Sequence, residues 1–248
     1  MQINHPYGTS KVKFIKFCSS ILSKTILFFL KFFLKIDKYD EIIISSQFFA
    51  PWIKDREFYE FFLKIKNLTL LDVKRSYTLW YFAKNLKNVN AEILDVGCCE
   101  GGSGFILSKA NKKGKVYLID TFEGLIEEDK NYKKKDMYFD DISSIKRNIK
   151  KFNLKNIKIV KCFFPKNFKI KSKCIKICHL DINTYRSTKN SFFYVDKKML
   201  KNGVIIFDDY GIYTNKNIIK FIDTNKNYII KNYNLIYNFM GQCILIKK

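Results

Sequence analysis

Short apolar runs alternate with helical spacing along the chain from Ala91 onward. Five of these runs have the length and the β-branched content of buried strands, and they read AEILDVG, KVYLID, NIKIVKC, KCIKICHLDI and GVIIFDD. Helical patterns lie near Gly102–Ala110, 140–152 and 186–200. Because parallel strands need crossovers, whose helices cover the sheet on both faces, this alternation predicts an α/β, Rossmann-like fold with a mainly parallel sheet.

Two shorter apolar runs, 228–231 and 243–247, follow without a long crossover between them. Strands connected in this way pair antiparallel. We therefore predict a seven-stranded, mainly parallel sheet with an antiparallel C-terminal edge strand.

Helical spacing also precedes the first strand, at about 57–66 and 70–86, directly after Pro51 and Trp52. We therefore predict two regions. Residues 1–50 form a helical N-terminal extension, and residues 51–248 form the α/β domain, in which helices flank the sheet.

Residues 12–36 have the pattern of an amphipathic basic helix. Five lysines fall within about a third of its circumference; they are Lys13, Lys16, Lys24, Lys31 and Lys35. The other side carries apolar residues, among them Phe17, Ile21, Phe28, Phe29, Phe32 and Phe33. Such a face commonly packs on the adjacent domain or across a dimer, and the alternative is an anionic membrane surface, with the lysines reaching outward.

The charge is strongly basic, with 46 lysines and arginines against 23 acidic residues and a net charge of +23. This balance suggests a nucleic-acid or anionic-membrane partner. Arginine, however, is confined to positions 56, 75, 147 and 186, and the lysines are spread over the chain. A nucleic-acid interface concentrates arginine for its bidentate grip on phosphate, so nucleic acid is disfavoured as a partner.

The cysteines predict a reducing environment. Their number, seven, is odd, and no two of them form a CxxC pair. A disulfide framework or a zinc site is therefore not expected. No stretch reaches about 18 uncharged apolar residues, and lysines interrupt the N-terminal apolar segment, so neither a transmembrane helix nor a signal peptide is expected. We predict a cytoplasmic protein, or one peripheral at the inner face of the membrane.

A glycine-rich turn follows the first predicted strand and reads DVGCCEGGS from Asp95 to Ser103. Glycines let the backbone turn sharply from strand to helix and approach a ligand closely, with free N–H groups at the helix start. The second predicted strand ends at Asp120, roughly 20 residues later, where an acid can accept both ribose hydroxyls of a nucleoside. The turn does not have the GxGxxG spacing of a dinucleotide phosphate loop. The turn and Asp120 together therefore favour S-adenosylmethionine, a nucleoside cofactor that has no pyrophosphate.

Acidic residues also follow the fourth and fifth predicted strands, at Asp181 and at Asp208–Asp209. The carboxyl ends of adjacent parallel strands share one crevice, so the three carboxylates converge. Because buried acids that lack partners are costly, such a trio is either solvated or neutralised by a hard cation such as Mg²⁺. Each acid alone could simply cap the helix that follows it, but the trio favours the metal.

The chain resembles the macrocin O-methyltransferase family from about Phe48 to Gly211. The shared motifs are TLLD with Arg75, EGGS, DTFEGL, Phe164-Pro165, HLDINTYRST and Asp208-Asp209-Tyr210-Gly211. The family consists of metal-dependent class I S-adenosylmethionine methyltransferases that act on sugar hydroxyls. The resemblance implies O-methylation of a sugar or glycoconjugate acceptor with S-adenosylmethionine and Mg²⁺. The basic helix predicted over residues 12–36 favours a surface glycan precursor over an antibiotic as the acceptor.

The resemblance also implies roles for individual residues. Asp95, Gly97, Gly101 and Ser103 are similar to the wall around the methionine end of the cofactor, and Asp120 to the ribose-binding acid. The segment around Thr69 and Arg75 resembles the part that closes over the cofactor. Asp181, Asp208 and Asp209 are similar to the magnesium ligands of the family.

The chain departs from the family pattern HxDxDxY at Asn183, where the family has an acid that is its candidate general base. An amide cannot accept a proton, although its carbonyl can coordinate a metal or orient the sugar. His179 and Asp209 are then the nearest replacement bases, and hydroxide on the metal is a third. Two alternatives stay open: a non-catalytic or weakly active descendant, and a nucleic-acid methyltransferase. The sequence leaves the oligomeric state open, a homo-oligomer included.

Overall fold

The computed structural model describes residues 51–86, 90–128, 132–170, 174–211, 216–238 and 240–248 in full. Between 14 and 32 it describes residues 14, 17, 18, 21, 22, 24–26, 28, 29 and 32. The chain divides into two compact units, Met1–Ile53 and Lys54–Lys248. The division at residue 50 stays a prediction.

The described residues between 14 and 32 are helical, as the spacing predicts. Lys24 is the one member of the predicted lysine stripe among them. Lys13, Lys16, Lys31, Lys35 and Phe33 lie outside the described residues. No described helix is both long enough and apolar enough to cross a bilayer.

The second unit contains α-helices on both sides of a sheet. In chain order they are α1 (Arg56–Ile65), α2 (Val73–Asn85), α3 (Gly102–Ala110), α4 (Ile142–Lys151), α5 (Tyr185–Asp196), α6 (Lys216–Thr224) and α7 (Lys226–Asn232). Short 3-10 helices cover Pro51–Lys54, at the junction of the units, and Lys66–Leu68.

The strands are β1 (Glu92–Val96), β2 (Val116–Asp120), β3 (Ile157–Lys161), β4 (Ile175–Leu180), β5 (Met199–Phe207), β6 (Tyr233–Asn238) and β7 (Gln242–Lys247). They form one sheet in the order β3-β2-β1-β4-β5-β7-β6. β1 to β5 pair in parallel, and β7 runs antiparallel to both β5 and β6. The predicted seven-stranded, mainly parallel sheet is confirmed, and its antiparallel strand lies one place in from the C-terminal edge.

The centre of the sheet is buried on both faces, as expected for a parallel sheet covered by crossover helices. Every residue of β4 is buried, including the polar His179. The main core contains Leu94, Cys178, Phe192, Phe207 and Leu245, among others. Because β1 to β5 are parallel, their carboxyl ends lie at the same edge of the sheet. The predicted site residues lie at this edge.

Two boundaries differ from the sequence prediction. The run 228–231 is part of α7 and not a strand, and the strand begins directly afterwards at Tyr233. A four-residue run is too short for its apolar spacing to tell a helix from a strand. In α7 only Ile229 of this run is buried. The helix predicted over 186–200 ends at Asp196, and β5 already begins at Met199.

Two helices begin with caps that bring residues to the site. The Asp72 side chain accepts the backbone N–H groups of Lys74 and Arg75 and so fixes the start of α2. The Thr184 side chain caps α5 in the same way through the N–H of Ser187. These caps set the positions of Arg75 and of the segment after β4.

Candidate active site

A cleft of about 330 Å³ opens at the carboxyl ends of the parallel strands. Seven of the residues predicted from the sequence line it: Arg75, Gly97, Asp120, Asp181, Asn183, Asp208 and Asp209. A smaller cavity of about 60 Å³ is lined by Thr69, Gly97, Ser103 and Asp181. Asp95 and Gly101 line neither cavity, and Asp95 is fully buried beneath the turn.

Gly97 lets the turn after β1 pass directly over β4. Its φ is +84°, a conformation that side chains rarely adopt. A Cβ atom at this position would lie 2.0 Å from the carbonyl oxygen of Asp181. The close approach of these two backbones places the glycine-rich turn against the acidic end of β4.

Asp120 holds the same turn from the end of β2. Its Oδ2 accepts the backbone N–H of Cys99 at 3.0 Å, and its Oδ1 accepts the N–H of Phe122 at 3.0 Å. The carboxylate lines the cleft while both oxygens are anchored to backbone. These two hydrogen bonds fix the orientation of the carboxylate at the wall of the cleft.

Beneath the cleft, Asp95 links the turn to β4. Its Oδ1 lies 2.7 Å from Nδ1 of His179, and its Oδ2 accepts the hydroxyl of Ser103 at 2.7 Å. Asp95 and His179 have no solvent exposure. Asp95 therefore supports the site from below and does not face the cleft itself.

His179 points its other nitrogen towards the acid cluster. Its Nε2 is buried without a hydrogen-bond partner and lies 3.9 Å from Oδ1 of Asp208, beyond hydrogen-bonding distance. Burial opposes protonation of the ring, but Asp208 and Asp95 outweigh it and raise the pKa of His179 to about 10. A base role for His179, which the sequence suggests, would require the ring to lose its proton first, and it stays a prediction.

Both carboxylate oxygens of Asp208 accept hydrogen bonds from side chains. Arg75 Nη1 donates to its Oδ2, and Gln242 Nε2 donates to its Oδ1 at 2.9 Å. Burial would raise the pKa of Asp208, but His179, Arg75 and Gln242 lower it below its usual value. Asp208 is therefore held as a carboxylate.

Arg75 reaches the acids from α2. Its Nη1 also lies 3.3 Å from Oδ1 of Asp209, and its Nε donates to Asp72 at 3.2 Å. The side chain is only 14% exposed. The segment around Thr69 and Arg75 is the one that the family resemblance predicts to close over the cofactor. The guanidinium of Arg75 connects this segment to the acids at the edge of the cleft.

The residues present fit a divalent cation. One potential ligand atom from each of His179, Asp181 and Asp208 lies within 4.8 Å of the other two. Burial, and then the Asp208 charge, raise the pKa of Asp181 to about 8, because the two carboxylates are gathered with too little compensating charge. Carboxylate oxygens are suitable ligands for such a cation, and the Nε2 of His179 joins them only after it has lost its proton. Asp209, predicted as the third ligand, is outside this group and is paired with Arg75.

Asn183 lies at the start of the segment that leads into α5. It is buried and lines the cleft, and its backbone carbonyl accepts the side-chain amide of Asn217 at 2.8 Å. The departure from the family acid therefore lies inside the cleft.

Sequence reasoning missed two residues of the site. Gln242 reaches Asp208 because β7 is inserted beside β5, a placement that no local pattern encodes. Glu127 lines the cleft and accepts the hydroxyl of Ser187 at 3.0 Å. The one available signal for Glu127 was its position two residues after the DTFEGL motif, which keeps it near the end of β2.

The sheet order and the cleft over the glycine-rich turn define a Rossmann-like methyltransferase. Solved structures share the fold at low identity. The O-methyltransferase NovP has a TM-score of 0.63 and 15% identity, covering 73% of this chain and 82% of that chain. An O-methyltransferase from Bacillus cereus in complex with SAH has a TM-score of 0.52 and 13% identity, covering 87% and 97%. A SAM-dependent O-methyltransferase from Thermotoga maritima has a TM-score of 0.52 and 12% identity, covering 77% and 71%.

The family model described as Macrocin-O-methyltransferase (TylF) matches residues 82–234, more than half of the chain. The chain belongs to this family, and it is an S-adenosylmethionine-dependent O-methyltransferase. The resemblance seen in the sequence motifs is thereby confirmed. No curated protein sequence matches the chain.

Proposed function

We propose that this enzyme is a Mg²⁺-dependent methyltransferase that transfers the methyl group of S-adenosylmethionine to a sugar hydroxyl in glycan or glycoconjugate biosynthesis. One observation carries the proposal: Asp120, the candidate ribose ligand, and the acids Asp181 and Asp208 line the same cleft. A donor over the turn and an acceptor at the acids would therefore meet in one space. The sugar class follows from the family resemblance.

We assign the residues of the cleft to binding the cofactor, binding the cation and aligning the two ligands. Asp120 would accept the ribose hydroxyls, and the backbone around Gly97 would support the methionine end. Asp181 and Asp208 would hold the cation, and His179 would join them once its Nε2 had lost its proton. The chemistry of the cation is to lower the proton affinity of a bound hydroxyl. Methyl transfer requires an in-line approach of oxygen to the methyl group, so alignment of the two ligands is the main contribution of the protein.

Asn183 would orient the acceptor through its amide, which donates and accepts hydrogen bonds but takes no proton. The acceptor proton then leaves to another group or to solvent. Loss of a positioned general base typically costs about 10²- to 10⁴-fold in rate. We therefore expect a slow enzyme.

Two measurements test the proposal. Calorimetry measures S-adenosylmethionine binding with and without Mg²⁺, and a radiolabelled methyl donor is offered with a panel of methyl glycosides and nucleotide sugars. Asp181→Asn and Asp208→Asn should abolish the Mg²⁺-dependent transfer, whereas Asp223→Asn, an exposed acid on α6, should leave it unchanged. Turnover that persists in a chelator would refute the metal assignment, and turnover confined to RNA would refute the sugar acceptor.

A further inference from the structure

Among the described residues between 14 and 32, which are helical, eight large apolar side chains are exposed. Their exposed fraction runs from 39% for Ile26 to 68% for Phe32, and the set is Phe14, Phe17, Ile21, Leu22, Ile26, Phe28, Phe29 and Phe32. The Phe28 ring contacts those of Phe29 and Phe32, with centroids 5.9 and 6.0 Å apart. A contiguous exposed apolar patch of this kind marks an interaction surface.

The patch occupies one side of the helix. At 100° per residue, its eight members fall within about 180° of the helix circumference. At the same spacing, the sequence pattern predicts that the five lysines of residues 12–36 fall within an adjoining sector of about 100°. Lys24, the one lysine of this set that the structure describes, is exposed.

The charge of the segment selects its partner. Residues 12–36 contain five lysines and no acidic residue, and the whole chain carries a net charge of +23. Lysines at the margin of an apolar face reach anionic headgroups while the face enters the boundary between headgroups and acyl chains, where phenylalanine is well accommodated. A protein partner would have to supply both a large apolar groove and a complementary row of acids.

We propose that residues 12–36 bind the surface of an anionic lipid bilayer, with the apolar face in the interface and the lysines against the headgroups. The helix lies in the plane of the interface, since the lysines recur along its length. The proposal concerns where the enzyme works and is independent of the acceptor and the metal.

Cosedimentation of the full chain with vesicles tests it. Vesicles of equal parts phosphatidylglycerol and phosphatidylethanolamine should bind the protein, and phosphatidylcholine vesicles should bind it at least about 10-fold more weakly, because attraction of lysine to anionic lipid is lost. Replacing Phe28, Phe29 and Phe32 together by Ser should weaken binding by at least about 10-fold through lost apolar burial. Circular dichroism checks that each variant is folded.

A matched pair of charge variants distinguishes vesicle binding by the lysines of residues 12–36 from binding caused by the overall positive charge of the chain. Changing its five lysines to Gln should weaken vesicle binding by about 100-fold or more. The control changes five exposed lysines of the other unit to Gln, namely Lys113, Lys133, Lys134, Lys146 and Lys155, and should bind like the wild type.

Three results would overturn the proposal: equal loss in both charge variants, equal binding to neutral vesicles, or no vesicle binding. In the last case, analytical ultracentrifugation showing a dimer that the Phe28/Phe29/Phe32 variant cannot form would assign the face to a second copy of the chain. Calorimetry on the same samples measures S-adenosylmethionine binding. Because membrane binding and donor binding are independent, the two measurements show which of the two proposals has failed.

Discussion

Nδ1 of His179 lies 2.7 Å from Oδ1 of Asp95, and both side chains are fully buried between the glycine-rich turn and the acid cluster. The pair joins the region expected to hold the methyl donor to the region expected to hold the cation. A buried charged pair of this kind is costly to break because the remaining partner is left uncompensated.

Asp95→Asn should therefore lower the free energy of unfolding by about 3–5 kcal/mol. Ser103→Ala removes only the hydroxyl that donates to the other oxygen of Asp95, and it should cost about 1–3 kcal/mol. Urea unfolding of both variants decides the matter. Equal losses would mean that the contact with His179 adds nothing to the stability of the turn.

Gly97 and Gly211 offer a matched pair with nearly the same backbone conformation, at φ +84° and +81°. Gly211→Ala should cost about 1–2 kcal/mol, the usual penalty of a left-handed side chain, because no atom of the described residues beyond its chain neighbours lies within 4 Å of its new Cβ. Gly97→Ala meets the Asp181 carbonyl as well and should cost clearly more, with loss of donor binding in calorimetry. Similar costs in both variants would show that the turn can move away from β4.

Asp196 provides a pH-dependent contribution to stability. Its Oδ1 accepts the Tyr233 hydroxyl at 2.5 Å and Lys247 Nζ at 2.6 Å, and its Oδ2 accepts the Tyr228 hydroxyl at 2.6 Å. Burial alone would raise the pKa of Asp196, but these donors lower it below its usual 3.8. The folded state then binds this proton less readily than the unfolded state does.

The stabilisation from Asp196 should accordingly be complete above about pH 5 and disappear as the pH falls through the lowered pKa. Asp196→Asn should be less stable than the wild type by about 1–3 kcal/mol at pH 7, and this difference should shrink towards pH 3. Urea denaturation across that range measures it. A difference that is constant with pH would mean that the ionisation of Asp196 is not responsible.

Asn183→Asp restores the acid of the family pattern inside the cleft. If proton removal limits the reaction, kcat on an active glycoside should rise by about 10²-fold or more, with little change in KM. Asn183→Ala is the control, because it removes the amide without adding a base. A rise in both variants, or in neither, would show that proton acceptance at this position does not limit turnover.

Local patterns were sufficient for the order of the elements from α1 to β5. The alternation of apolar runs with helical spacing predicted β1 to β5 because a buried parallel strand needs apolar residues on both faces. The short run 228–231 was assigned wrongly because four residues fit either period. The motifs likewise identified the family. The strand ends predicted that Asp181, Asp208 and Asp209 converge, and all three line one cleft.

What the sequence by itself determined is therefore the fold class, the family and the acids at the edge of the sheet, since these follow from periodicity and from motifs contiguous in the chain. Only the tertiary structure decided which groups meet there. Arg75 reaches Asp208 across 133 positions, Gln242 arrives through the insertion of β7 beside β5, and His179 turns a nitrogen without a hydrogen-bond partner towards the acids. Such contacts depend on how distant elements pack, and no local pattern of residues encodes that.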